Sequence, residues 1–152
     1  MKKAILAAVA LIAMPLAALA DDDDDNKADA GMGLAGILSK SNRETLPALT
    51  LSAGQPVSNA PLMLTSGKYY TLAIEADGSQ ELALEGAGFF RAVWVNEIVI
   101  EGIEIRPLGI DSIEFDDGGE AEISFVAIKP GTYHLKVPGS TGDTQQVSII
   151  IE

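Results

Sequence analysis

Apolar and polar side chains alternate along much of the chain after Leu46, and this period of two is typical of half-buried β-strands. The alternation is clearest at residues 122–125, 133–137 and 147–151. A hairpin turn is predicted just before the first of these runs, at residues 116–119, because aspartate and glycine suit the backbone of tight turns. The last third of the chain is therefore predicted to form a hairpin, a Pro-Gly turn and two closing strands.

Shorter apolar runs in the middle of the chain predict further strands, at residues 49–51, 62–64, 70–74, 82–84 and 89–100. Asp77 and Gly78 predict a hairpin between the third and fourth of these runs. The run at 89–100 is rich in β-branched and aromatic side chains, so a strand is favoured over a helix, and Gly102 ends it. Short strands at this spacing, without a sustained helical period, indicate an all-β fold: one antiparallel β-sandwich over residues 46–152.

The N-terminal segment has the three parts of a secretory signal peptide. Lys2 and Lys3 precede an apolar core at residues 4–13, and Ala18-Leu19-Ala20 forms a small-residue cleavage site. A membrane anchor is the alternative, but the apolar run is short for a span and a proline interrupts the segment. We therefore predict residues 1–20 to be a signal peptide that is cleaved after Ala20, with export to the periplasm and no stable membrane anchor.

The residues that follow are strongly acidic. Residues 21–25 are five consecutive aspartates, and like charges in a row give the chain no reason to fold. We predict a flexible acidic tail and linker over residues 21–45. Two roles stay open for the aspartates: a solubilising segment, or an arm that docks cations or a basic protein.

Charge and cysteine content exclude several classes of function. The formal net charge is −12, and loss of Lys2 and Lys3 makes it more negative. Phosphate backbones and anionic lipid surfaces would repel such a chain, so nucleic acid and membrane surfaces are not expected partners. The chain has no cysteine, which excludes disulfides, zinc-thiolate sites and thiol catalysis.

The run FVAIKPGTYHLKV, from Phe125 to Val137, resembles the C-terminal half of cupredoxins. In that family a Pro-Gly-Thr-Tyr strand leads to the cysteine ligand of a copper site, and here the four residues begin at Pro130. The resemblance covers roughly residues 46–152. It implies a Greek-key β-sandwich of the cupredoxin-like type and a secreted setting.

The resemblance does not extend to the copper ligands. Val137 stands at the position of the family's cysteine, and aromatic residues, Phe89 and Phe90, stand near that of an early histidine. The loop at residues 138–144 has neither histidine nor methionine. A type 1 copper centre needs a thiolate and two imidazoles, whereas this chain has a single histidine. We therefore expect no type 1 copper and no other cofactor.

Two sets of residues are candidates for binding a metal cation. Asp116, Asp117 and Glu120 belong to an acidic cluster around the predicted hairpin, and hard cations bind several carboxylate oxygens. The cluster lacks EF-hand spacing, so a solvated hairpin end is the alternative interpretation. His134 is the one imidazole, and on a strand it would face outward, as an ordinary surface histidine does.

The candidates for binding a protein partner are Phe89, Phe90, Arg91 and Trp94, the main concentration of aromatic residues. Aromatic and arginine side chains anchor protein interfaces. Burial in the sandwich core is the alternative use of the same aromatic residues.

Nothing in the sequence indicates catalysis. No Gly-x-Ser-x-Gly elbow occurs, and no serine stands with a histidine and an acid. The sequence therefore indicates an exported, non-enzymatic, cupredoxin-like accessory protein that recognises a periplasmic protein partner. The alternative is a periplasmic metal-ion carrier that uses the acidic clusters or His134.

Overall fold

The structure, a computed structural model, describes residues 36–152, and the alternating runs form eleven β-strands within that range. The strands are β1 (Arg43–Thr45), β2 (Leu49–Leu51), β3 (Leu62–Leu64), β4 (Tyr69–Ala76), β5 (Leu82–Glu85), β6 (Val93–Ile100), β7 (Ile103–Ile105), β8 (Ser112–Phe115), β9 (Gly119–Ala127), β10 (Gly131–Lys136) and β11 (Gln146–Ile151). The predicted signal peptide and the five aspartates lie outside the described residues. In the described part of the chain, no helix has the length and apolarity needed to cross a bilayer.

The strands form two sheets that share one core. Sheet A has the order β1-β4-β9-β6-β7, with β2 also on β4, and sheet B has the order β3-β11-β10-β5-β8. The helical segments are short: a four-residue helix α1 (Ala87–Phe90) and 3₁₀ turns at Gly36–Leu38, Lys40–Asn42 and Asp143–Gln145. The predicted all-β sandwich is confirmed.

The core forms because the alternation places one face of each long strand inside. Leu72 of β4 lies opposite Ile123 of β9, and both are buried. Tyr70 lies opposite Phe125, with their ring centroids 5.9 Å apart. Sheet B contributes buried side chains of the same kind, including Leu135. Each such aliphatic or aromatic side chain stabilises the fold by roughly 1.5–3 kcal/mol when fully buried.

The strand pairing is mixed: most pairs are antiparallel, as predicted, but three pairs are parallel, which the sequence did not predict. β1 and β2 both run parallel to β4, and β3 runs parallel to β11. β1 and β2 occupy successive parts of the same edge of β4. Pro47 lies between them and has no backbone N–H to donate, which accounts for the break in this edge.

The ordered sheet begins before Leu46, where the sequence placed the start of the domain. Arg43, Glu44 and Thr45 pair with the first residues of β4. The Asn42 side-chain amide donates to the backbone oxygen of Gly67, at 2.9 Å. Residues 43–45 are therefore part of sheet A, although the sequence assigned them to the tail.

The two predicted hairpin turns are connections between the sheets, not hairpins. β4 pairs with β9 in sheet A, whereas β5, which follows Asp77 and Gly78, pairs with β8 in sheet B. The turn at residues 116–119 likewise leads from β8 to β9. Aspartate and glycine favour a chain reversal, but the reversal does not determine which sheet receives the next strand.

The predicted strand at residues 89–100 begins later than expected. Phe89 and Phe90 lie in α1, and both side chains are buried. A strand would have turned these neighbouring side chains to opposite faces, so a helical turn allows both to enter the core. Strand β6 follows with a bulge at Asn96, and the chain then turns at Glu101 and Gly102, whose φ angles are 48° and 80°.

We expect Gly78→Ala to destabilise the fold more than Gly54→Ala does. Both glycines have positive φ, +72° and +75°, so alanine costs each site about 1 kcal/mol of backbone strain. A Cβ at Gly78 would also lie 2.8 Å from the backbone nitrogen of Gly118, whereas a Cβ at Gly54 meets nothing within 4 Å. Urea unfolding should therefore show a loss for Gly78→Ala that is larger by about 1–2 kcal/mol. Equal losses would contradict the close contact between the two connections.

Candidate functional site

The residues at the family's copper positions do not form a metal-binding site. Val137 is half-buried just after β10, and its N–H donates to the backbone oxygen of Gln145 at 2.9 Å. The following loop closes on itself, since Ser140 donates from its hydroxyl to the oxygen of Val137 at 2.7 Å. The sequence offers no thiolate, so the residues present do not fit type 1 copper.

Phe89 and Phe90 are core residues. The ring of Phe89 packs edge-on against Phe125, with centroids 5.3 Å apart. The helix that carries them, α1, lies beside the first half of β10. The evidence is that a Cβ added to Gly88 of this helix would be 3.9 Å from Cδ1 of Tyr133. Val137 follows the other end of that strand. None of these three side chains offers a ligand atom to a metal ion.

Two of the predicted partner-binding residues stay accessible and two do not. Phe89 and Phe90 are buried, so they cannot anchor a partner directly. Arg91 is exposed, and Trp94 is 48% exposed on β6. The aromatic concentration is thus divided between the core and the surface.

His134 lines a surface depression of about 590 Å³ on sheet B. The depression lies where β5 stops pairing with β10 after one position, Glu85 opposite Lys136, and the chain enters α1. An ion pair of 3.1 Å joins these two side chains. Gly86 allows the close approach, because a Cβ there would lie 2.4 Å from Cδ2 of Leu135. The polar lining could hydrogen-bond a polar ligand, but the imidazole stands alone.

Asp116, Asp117 and Glu120 lie at one end of the sandwich, together with Glu75 and Asp77. We name this end, defined by these five residues, the acidic end. Glu120 lies opposite Glu75 in the strand register, and Gly78 contacts Gly118. Within residues 36–152, no three His, Asp or Glu side chains are grouped so that they could hold a metal ion. The structure also does not join His134 to this cluster, so the carboxylates and the imidazole form no common site.

At the acidic end, the side chain of Asp77 is fixed by hydrogen bonds. Its carboxylate accepts hydrogen bonds from the Ser52 hydroxyl at 2.5 Å and from the Ser79 N–H at 2.8 Å. These bonds favour the charged form, and the one from Ser52 has the largest effect in lowering the pKa of Asp77. The bonds tie the β2 end to the connection after β4, which is a structural role.

Comparison with solved structures finds a similar fold in multi-copper oxidases. The chain is similar to a multi-copper oxidase from Pseudomonas thermotolerans, with 16% identity and a TM-score of 0.53 over 74% of this chain and 30% of that one. It is also similar to a multi-copper oxidase from Pseudomonas parafulva, with 14% identity and a TM-score of 0.53 over 74% and 31%. The fold is cupredoxin-like.

The similarity reaches the fold and no further. The cupredoxin-like chain spans less than a third of the length of these two oxidases, at an identity that shows the architecture alone. No protein-family model matches the sequence. No curated protein matches it either.

The end of the cupredoxin-like sandwich opposite the acidic end is basic, and the sequence analysis missed it. The guanidinium of Arg43 stacks 5.0 Å from the ring centroid of Tyr69. Lys68 donates to Glu44, which raises the pKa of Lys68. These residues lie far apart in sequence, and strand pairing brings them together, so a scan for charge runs could not have found them.

A second surface lies on the outermost strand of sheet A. Ile103 of β7 is 64% exposed and Ile105 is 43% exposed. Ile105 pairs with Ile98, whose side chain is buried in the core. The apolar face of the sheet thus continues beyond the core onto the surface. The position of these isoleucines on an edge strand follows from the strand pairing, which the sequence does not show.

We expect Ser52→Ala to raise the pKa of Asp77 toward its ordinary value. The pKa is lowered in the folded state, so the carboxylate stabilises the fold above about pH 4 and loses that effect as the pH falls through the lowered pKa. Carboxyl ¹³C NMR titration of Asp77 measures the shift directly. Ser58→Ala is the control, because that hydroxyl donates to Ala60 instead. An unchanged pKa in Ser52→Ala would contradict the assigned cause.

Proposed function

We propose that this chain is an exported, non-enzymatic, cupredoxin-like accessory protein that recognises a protein partner in the periplasm. Two observations support a role without type 1 copper. The sequence contains no cysteine, and a half-buried valine, Val137, stands where the family's thiolate would be. The fold without these ligands is a scaffold, and its function must lie in its surfaces.

The observation that carries the proposal is the apolar edge of sheet A. Within residues 36–152, β7 pairs with β6 and with no other strand. Its outer backbone groups are therefore open, and Ile103 and Ile105 expose apolar surface beside them. Most edge strands are protected against pairing, so an exposed apolar edge is a template for another strand.

The charges beside this edge indicate the chemistry of the partner. Arg106 forms ion pairs with Glu97 at 3.0 Å and with Glu104 at 3.2 Å. Two carboxylates share one guanidinium, so this part of the edge keeps a negative excess. The partner is an extended strand with apolar side chains at alternate positions and a basic side chain on its other face.

We expect Ile103→Ser combined with Ile105→Ser to weaken partner binding by roughly thirtyfold. Burial of each half-exposed isoleucine should contribute about 1 kcal/mol, and about 2 kcal/mol corresponds to that change in Kd. The immobilised chain is exposed to periplasmic extract, the retained protein is identified and purified, and its Kd is measured by calorimetry.

Met63→Ser is the matched control, because Met63 is an exposed apolar residue on β3, the edge strand of the other sheet. It should leave the Kd unchanged. Full affinity in the double isoleucine variant would refute the edge as the binding surface. Catalytic turnover of any compound by the purified chain would refute the non-enzymatic role.

A further inference from the structure

Five of the basic side chains in residues 36–152 lie at one end of the sandwich, which we name the basic end. They are Lys40, Arg43, Lys68, Arg91 and Lys129. The backbone places them together: the Gly67 N–H donates to the oxygen of Ala127 at 2.7 Å, and the Lys129 N–H donates to that of Ala92 at 2.9 Å. The segment before β1 joins the same end through the bond between Asn42 and Gly67.

Two of these five cations have a partner within residues 36–152, and three have no ion pair there. Lys68 pairs with Glu44 and Arg43 stacks on Tyr69, but Lys40, Arg91 and Lys129 form no ion pair with any residue in the range 36–152. The side chain of Glu152 belongs to the same end, since the Ser66 N–H donates to the Glu152 backbone oxygen. The basic end therefore keeps a positive excess in a chain with a net charge of −12.

Apolar side chains lie among these cations. In the strand register, Val126 lies between Tyr69 and Trp94 on the outer face of sheet A. Val126 and Tyr69 are buried there, whereas Trp94 is 48% exposed and Ile128 is 52% exposed. A half-exposed indole at the same end of the sandwich as these cations gives the composition of a recognition surface, where aromatic and arginine side chains contribute most of the affinity.

We propose that the basic end is a docking surface for the chain's own aspartate run, residues 21–25. The run carries five consecutive negative charges, which complement the positive excess of the basic end. The described chain starts at Gly36, and the Leu38 oxygen accepts from the Arg43 side chain, so the connection to the run leaves from the basic end itself. Ten residues, 26–35, link Asp25 to Gly36, and the eleven Cα–Cα steps between them can span up to about 36 Å.

Covalent linkage makes this occupant more favourable than a separate acidic molecule. A short tether gives an effective concentration in the millimolar range, so weak charge pairing suffices for docking. The docked run covers Trp94 and the adjacent cations. An acidic partner can reach this surface only by displacing the run. The contact depends on charge, so a salt concentration high enough to shorten the Debye length to a few ångströms releases the run. This inference does not depend on the β7 edge.

Trp94 is the single tryptophan, so its fluorescence reports on the docking surface alone. Acrylamide is the quencher, because it is neutral and insensitive to the charge changes. The intact residues 21–152 are compared with the variant that carries Asp21→Asn, Asp22→Asn, Asp23→Asn, Asp24→Asn and Asp25→Asn. We expect the variant to be quenched about twofold more efficiently at low salt, and the difference to vanish at high salt.

Two controls separate docking from a general effect of charge. The control variant combines Glu75→Gln, Asp116→Asn, Asp117→Asn and Glu120→Gln at the acidic end with Glu122→Gln, two residues further along β9. It removes as many charges and should leave quenching unchanged. Arg91→Gln with Lys129→Gln should reproduce the effect of the aspartate variant, and the two sets together should add nothing further. Urea unfolding midpoints check that every variant is folded.

Carbodiimide cross-linking identifies the occupant. We expect amide links between residues 21–25 and Lys129 in the monomer, and few to Lys136, which lies on sheet B. Equal quenching of the intact chain and the aspartate variant at low salt would overturn the proposal. Links found only in cross-linked dimers would also overturn it, and would identify a second copy as the occupant.

Discussion

The antiparallel pairing of β4 with β9 is the constraint on which the rest of the structure depends. The register runs from Tyr69 opposite Val126 to Ala76 opposite Gly119. It turns the alternate residues of both strands into one core face, and a slip by one residue would move all of them to the outer face. β1, β2 and β6 add to this pair, so the architecture of sheet A follows from one register.

The same pairing separates charge along the sandwich. Because the two strands are antiparallel, the beginning of β4 meets the end of β9, where Lys68 and Lys129 lie. The end of β4 meets the beginning of β9, which brings together Glu75 and Glu120. The surface charge is therefore polarised between the two ends of the sandwich, although its distribution along the sequence does not show this. The acidic and basic ends therefore result from the topology. The two proposed recognition surfaces, the β7 edge and the basic end, lie on different parts of the sandwich.

The cupredoxin-like fold occurs here in a chain that has no cysteine to supply the thiolate of a type 1 copper centre. The ligand positions of a type 1 centre depend on a few side chains at the end of the sandwich, whereas the fold depends on the alternation along many strands. Val137 preserves the apolar packing at its position but offers no thiolate. Packing and metal binding are thus separable properties of the same architecture.

The sequence by itself determined most of the strands and the excluded chemistry. Alternation predicted β4, β9 and β11 because the period of side-chain burial is a local property, and the single His134 with no cysteine excluded type 1 copper. The tertiary structure alone decided which strands pair, since Asp77 and Gly78 reverse the chain equally well within a sheet or between sheets. It also decided that Phe89 is buried and Trp94 exposed. Pairing and burial depend on residues distant in sequence, which no local pattern records.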